Sequence, residues 1–475
     1  MASIKSKVFM KNNVRIPEIF LAILIVVYAM LYEWRSIFEL NFFLPIVNLL
    51  KCVIPFFLLL FILRFDQIPK YQPSRQYIKF FLLFMVWGFF SSLFSFVPKE
   101  SLIQWLKFIP VLFFCWFICL YLLDHEEVQK KIMKFFVAIA VFTVIQYVFL
   151  EIATFSGVAK SFNLPTHRGG LYYGPFGLLG QGSGNVYFKS LGFSLWRIYG
   201  FWLEPSTVAG FLLAAAFFSV ALYLETKRKI WKMVASACFI GGICTFSNTA
   251  YLCIGIAGLI GELFFLKERK NKKAFHLAAA LFFILLIFYS ILGRWFVAKY
   301  FSNNIDLRYI SGVRDAIHEP YGGRKEQLSL NLKTVFDGAD YELAVASDNK
   351  PAVAYDTKRI TKIAKNILFG IGFRISGTDA QRRGFPIASA SALILWLAYT
   401  GVIGFMILLM REFQIVSVIF KNIYSSHFLL CIFQAWTVMF VTNLSYGTLM
   451  NPFYLITVAF VFSSVYRFRL RGSIG

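Results

Sequence analysis

Residues 196–212 read WRIYGFWLEPSTVAGFL, and the apolar run continues through LAAAFFSVALYL to residue 224. From Pro205 onward about 20 residues pass without a charge, which is the length that crosses the hydrocarbon core of a bilayer as a helix. Proline suits the first helical turn, where its missing N–H costs nothing, so a span begins near Glu204. Similar runs lie on both sides of this one. They fall near 17–34, 42–63, 78–97, 102–123 and 132–153, then near 230–247, 249–266, 275–297, 387–410, 426–444 and 449–466. The reading is an all-α integral membrane protein, a polytopic bundle of about twelve transmembrane helices with two large extracytoplasmic loops. Strands are not suggested, because the apolar stretches are continuous rather than alternating.

Composition demands the same class. Of 475 residues, 59% are hydrophobic and 19% aromatic, and only 15% are charged. Mean hydropathy is +0.67. A soluble core cannot bury that much apolar surface, so lipid must be the solvent for much of it. The net charge of +24 would suggest nucleic acid in a soluble chain. Here the basic residues cluster between apolar runs, where they act as topogenic charge facing anionic headgroups, and no nucleic-acid partner is expected. All seven cysteines lie inside apolar runs, which implies no disulfide framework, and no cluster has zinc spacing, so no metal is expected.

The positive-inside bias sets orientation. Basic clusters occupy alternate connections, among them Lys130/Lys131/Lys134, Lys227/Arg228/Lys229/Lys232, Arg411/Lys421 and Arg467/Arg469/Arg471. The opposite short connections hold little beyond Arg35 and Lys99. Both termini are therefore expected in the cytoplasm. The first run follows a basic segment but has no small-residue cleavage site before Tyr32, so it reads as a retained span. The chain divides into membrane helices over 1–153, an outer loop over 154–203, membrane helices over 204–297, a larger outer loop over 298–386 and membrane helices over 387–475. Within the larger loop, YDTKRITKIAKNILF (355–369) has the spacing of an amphipathic helix. No internal repeat of the kind found in inverted-repeat transporters is visible.

Candidate chemistry sits at the outward ends. The helix start near Glu204 presents free N–H groups, a ready anion site, and Arg197 adds a permanent forked cation suited to phosphate. The plain alternative is a capping acid with an ion pair. Gly370 and Gly372 permit a tight backbone, and Arg374, Arg382 and Arg383 follow on the outer side, against the topogenic bias. A pyrophosphate or lipid headgroup would explain them, as would mere solubility of the loop. Arg308, Arg314 and Arg324 carry weaker forms of that argument. Thr245–Thr249 and Asn443, Ser445, Tyr446 and Asn451 form two short polar turns that either line a cavity or serve only as turns. His167 and His318 have no catalytic partners in sequence, and no Walker loop or dinucleotide motif is present.

In order and at compatible topology, RIYGFWLEPSTVAGFL (197–212), TFSNTAYL (245–252), FGIGF (369–373) and ASASALILWLAYTGVIGF (388–405) resemble the O-antigen polymerase (Wzy-like) family, which is related to the O-antigen ligases. The resemblance covers roughly residues 195–465, and the early spans share only hydropathy. Ligases usually carry a histidine at the outer start of the span that here begins Ala388-Ser389-Ala390-Ser391, which favours polymerase over ligase.

The resemblance implies a bacterial inner-membrane glycosyltransferase of C type that needs no cofactor. Its partners would be undecaprenyl-diphosphate-linked oligosaccharides and membrane lipids, with room for a chain-length-regulating co-polymerase. Glu204 would be the base for an acceptor hydroxyl and Arg197 a cation for the leaving diphosphate. Arg168, Arg308, Arg314, Arg374, Arg382, Arg383, Tyr199, Asn248 and Tyr446 would hold diphosphate and sugar. Tyr172, Tyr173, Trp196 and Trp202 either stack on sugars or belong to the interfacial aromatic belt. The competing readings are an O-antigen ligase and a lipid-linked oligosaccharide flippase or transporter. Transport calls for charges within the spans, and the sequence offers almost none.

Overall fold

A computed structural model describes residues 18–33, 44–63, 71–95, 97–155, short strands between 161 and 196, residue 202, and 205–245, 247–268, 365–373, 392–423, 425–445 and 450–472. The first half contributes α1 (Glu18–Glu33), α2 (Leu44–Leu63), α3 (Gln72–Leu93), α4 (Pro98–Leu106), α5 (Ile109–Asp124) and α6 (Glu126–Phe155). Beyond the strands come α7 (Pro205–Thr226), α8 (Ile230–Ile243) and α9 (Asn248–Glu268). The C-terminal part supplies α10 (Ala392–Asn422), α11 (His427–Ser445) and α12 (Pro452–Gly472).

Among the described residues, 7 helical stretches are long and apolar enough to cross a membrane, with α4 and α5 counted together as Pro98–Asp124. Three shorter apolar stretches are Leu44–Leu58, Ile230–Ile243 and Thr249–Phe264. The chain is an α-helical membrane protein, but the expected figure of twelve spans is not reached by length and hydropathy. Helices occupy every expected span except 275–297, which lies outside the described residues. Large apolar side chains such as Phe56, Phe149 and Phe413 stand 59%, 65% and 65% exposed. Such side chains suit lipid rather than water as the surrounding solvent.

Short strands accompany the helices in one connecting segment. Five short strands occupy the segment between α6 and α7: β1 (Ser161–Leu164), β2 (Gly170–Tyr173), β3 (Leu179–Gly180), β4 (Asn185–Phe188) and β5 (Phe193–Trp196). The first three form one antiparallel sheet, with Ser161 opposite Tyr173, and β4 pairs with β5, with Asn185 opposite Trp196. Strands of two to four residues are too brief to leave a periodic sequence signal.

The core is the contact of α7 with α8 and α11, of α3 with α10, and of α12 with α5 and α11. Helix α7 comes close to α11 at Gly210, where a Cβ would lie 2.1 Å from Thr442 Oγ1. Small residues permit such approach between spans, where no hydrophobic force drives helices together. At one end of the bundle, charged groups from four helices meet. Lys130 is 2.5 Å from Glu225 and 3.1 Å from Glu126, Lys131 is 2.5 Å from Glu18, and Arg471 is 2.6 Å from Glu126. Basic clusters assigned to alternate connections thus share one end of the molecule.

One of those assignments is overturned. Arg411 is not a connection charge. It lies inside α10, and its side chain is fully buried.

Candidate functional site

Helix α10 is broken at Gly401, whose φ of 67° and ψ of −174° are not helical. The break strands carbonyls within the bundle, where water is scarce and each must find a donor. Residues 365–373 supply part of the answer. Ile371 N donates to Ala398 O at 2.9 Å and Gly372 N to Tyr399 O at 3.2 Å. From α3, Ser91 Oγ donates to Tyr399 O and Trp87 Nε1 to Thr400 O, each at 2.8 Å. Ser95 Oγ reaches back to Ile371 O at 2.8 Å. Gly370 has φ 75°, and a Cβ there would stand 2.4 Å from Tyr399 O, so only glycine fits the crossing. FGIGF is therefore packed into the helix bundle. Two of the sequence motifs, FGIGF and LAYTGVIGF, form one unit.

Below the mouth of α7 lies a small cavity of about 10 Å³, lined by Glu33, Trp202, Thr207, Phe211, Met439, Thr442, Asn443, Asn451 and Phe453. Glu33 ends α1 and accepts a hydrogen bond from Asn451 Nδ2. Asn451 Oδ1 in turn accepts from Phe453 N at 2.9 Å, capping the start of α12. Asn443 Nδ2 donates to Met439 O at 2.7 Å, while Asn443 Oδ1 is buried with no partner among the described residues. Trp202 is buried, donates from Nε1 to Thr143 Oγ1 at 3.2 Å and packs on Phe211 and Phe453. It is neither an interfacial belt residue nor an open sugar platform, because its ring is enclosed on the inside of the bundle.

A second polar cluster adjoins the first. Arg411 Nε donates to Glu412 Oε1 at 2.8 Å, and Tyr454 Oη donates to Glu412 Oε2. The guanidinium reaches Met450 Sδ at 3.3 Å and lies 5.0 Å from the Phe81 ring centre and 5.3 Å from that of Tyr77. Residues 450–454 join the clusters, since Met450 and Tyr454 touch the ion pair while Asn451 touches Glu33. Glu412 also lines a wider apolar groove of about 490 Å³ between α3, α10 and α11, with Phe80, Met410, Phe413 and Phe440. Two opposite charges enclosed among aromatic rings need one another, because removing either leaves an uncompensated charge in low dielectric.

Of the residues singled out from sequence, Arg168, Arg197, Tyr199, Glu204, Arg308, Arg314, Arg374, Arg382, Arg383 and Tyr446 lie outside the described residues. So do His167 and His318, and so does residues 355–364 of the expected amphipathic helix, of which 365–369 forms a helical turn. Asn248 is the first residue of α9. In the same turn Thr245 and Ser247 are buried, and Thr245 Oγ1 donates to Gly242 O at 2.7 Å, ending α8. These two residues act as turn and cap.

Sequence reasoning overlooked three groups. Glu33 leaves no signal in the sequence beyond closing an apolar run. Glu33 shares its cavity with Trp202 and Thr207, which bracket Glu204 in sequence. The Arg411–Glu412 pair did leave a signal, since the apolar pattern continues beyond it as FQIVSVIF. Comparison of the chain with family models, curated proteins and solved structures finds no match.

Proposed function

We propose that the chain is a metal-independent membrane glycosyltransferase that joins undecaprenyl-diphosphate-linked oligosaccharide repeat units into a surface polysaccharide, such as O-antigen, capsule or exopolysaccharide. The reading places it in the bacterial inner membrane with both termini cytoplasmic and the reaction on the outer face. The observation that carries it is the ordered set of motifs resembling O-antigen polymerases. Two facts support treating those motifs as a unit. FGIGF bonds directly to the broken helix of LAYTGVIGF. Trp202 and Thr207, on either side of Glu204 in sequence, line a cavity that also has a carboxylate, Glu33, on its wall.

In this reading the acceptor sugar hydroxyl attacks the anomeric carbon of the donor. Its oxygen forms the new glycosidic bond, and the bond from that carbon to the diphosphate oxygen breaks. The diphosphate leaves with the bonding pair, and the hydroxyl proton passes to Glu204. Arg197, Arg382 and Arg383 are the cations that stabilise the departing charge, with Arg168, Arg308, Arg314 and Arg374 as further contacts. Tyr199, Asn248 and Tyr446 are the proposed sugar contacts. Membrane lipids are the surrounding partners, and a chain-length-regulating co-polymerase is a candidate protein partner.

Purified full-length protein supplied with lipid-linked repeat units should yield a ladder of longer lipid-linked products. Glu204→Gln and Arg197→Ala should each abolish the ladder while the protein remains expressed and monodisperse. No ladder from the unaltered protein, with a substrate proven competent, refutes the polymerase reading. Transfer to a lipid A core instead of to a second repeat unit would mark a ligase.

One observation favours a second reading. Transport predicts ionisable residues within spans, and the buried Arg411–Glu412 pair is such a feature. Passage of a lipid-linked oligosaccharide across sealed vesicles, with no polymer formed, would select a flippase.

A further inference from the structure

The turn between α7 and α8 gathers positive charge that the described residues do not balance. Lys227, Arg228, Lys229 and Lys232 fall within six positions, and all four are exposed. Other cations at this end of the molecule are committed: Lys130 to Glu126 and Glu225, Lys131 to Glu18, and Arg471 to Glu126. Glu225, the nearest acid along the chain, is thus engaged by Lys130. Among the described residues none of the four has an ion pair, and the first turn of α8 carries no acid. The fold also draws two of them together. Lys227 Nζ stands 5.9 Å and Lys232 Nζ 4.4 Å from the centre of the Tyr223 ring. Lys227 has φ 57°, the one positive φ of a non-glycine residue among those described. Its backbone reverses the chain tightly and holds like charges side by side, where they repel.

The helix face beside this turn is apolar. Ile230, Met233 and Ile240 stand 55%, 69% and 59% exposed, and steps of three and seven residues put them on one side of α8. Positive charge at the end of an apolar face complements a molecule with a phosphate at one end and hydrocarbon below it. A soluble anion would meet the charge and leave the face bare. Clusters of lysine and arginine at a membrane boundary attract anionic headgroups, and the attraction grows with each charge. We infer that Lys227, Arg228, Lys229 and Lys232 bind the phosphodiester of one anionic phospholipid, whose acyl chains run along Ile230, Met233 and Ile240. A topogenic bias towards one leaflet needs no defined site. Here the convergence on Tyr223 and the missing counter-ions make one. The bound lipid supplies the counter-charge of the turn and covers the outer face of α8.

Native mass spectrometry of the full-length protein tests this, with release from micelles that hold phosphatidylglycerol and phosphatidylcholine in equal amounts. The expected result is one phosphatidylglycerol retained per chain in preference to phosphatidylcholine. Each neutralised cation should weaken retention about fivefold, and Lys227→Gln, Arg228→Gln and Lys229→Gln together about a hundredfold. Lys134→Gln, a change at an exposed lysine of α6, should leave retention as it is. Equal retention of the two lipids by the unaltered protein overturns the inference. So does undiminished retention in the folded triple variant, or in Lys229→Gln alone if the triple variant does not fold. Displacement of the lipid by inorganic phosphate, with no effect of Met233→Ser, marks a site for soluble anions and overturns it as well. No glycan substrate enters the measurement, so the result is independent of the polymerase reading.

Discussion

Arg411 and Glu412 are adjacent in sequence and almost wholly buried. Neighbouring residues on a helix point about 100° apart, so their side chains do not ordinarily meet. They meet here because Tyr454 and Met450 close one side and the Tyr77 and Phe81 rings another. Arg411→Ala should destabilise the protein by about 3–5 kcal/mol, because Glu412 is left buried without its counter-ion. The double change Arg411→Met, Glu412→Leu should recover most of that loss, since apolar groups of similar volume often replace buried ion pairs at little cost. Thermal unfolding in detergent, followed by the loss of monodisperse protein, reads both. A double variant as unstable as the single one would show that the pair itself holds the bundle. From sequence, Arg411 looked like a charge closing a loop. Charge and local hydropathy cannot distinguish a residue that ends a span from one whose span continues past it.

At the scale of elements, the junction between residues 365–373 and α10 is the feature that local reading captured only in part. Gly370 and Gly372 announced a tight backbone. Gly401 looked like any glycine in an apolar run, since its positive φ arises from a contact with residues about thirty positions earlier. A Cβ at Gly401 would lie 2.3 Å from the Leu368 carbonyl. Gly401→Ala should therefore cost about 1–3 kcal/mol from the backbone conformation alone, and more from the collision. It should also free residues 365–373, so that a cysteine placed at Ile371 reacts with maleimide faster than in the parent background. Gly258→Ala, where a Cβ meets nothing within 4 Å, should change neither quantity. Equal effects of the two substitutions would remove the junction from the account. The strands before α7 were illegible for a different reason: their order comes from pairing between short segments, which no period within one segment records.

Across the whole molecule, the described helices bring Glu18, Glu126, Lys130, Glu225 and Arg471 to one end. The arrangement agrees with alternate connections sharing a side. If that side is cytoplasmic, a protease tag at either terminus should resist digestion in intact spheroplasts and become cleavable once they are opened. A tag in the 298–386 segment should be cleaved from outside without lysis. The opposite pattern would invert the orientation and place the Glu204 region in the cytoplasm.

The sequence by itself determined the class, the approximate positions of the helices and the alternation of basic clusters. These follow from transfer free energies and helix rise, which act residue by residue along the chain. The stretch 196–212 marked a helix mouth with an acid and a cation, and the tertiary structure begins α7 at Pro205. Only the tertiary structure decided that Glu33 stands at the same mouth and that Arg411 is enclosed rather than exposed. It alone shows that FGIGF closes a break in α10. Each of these depends on groups far apart in sequence meeting where water is excluded, and there the energy of a polar group is set by its partners rather than by its neighbours in the chain.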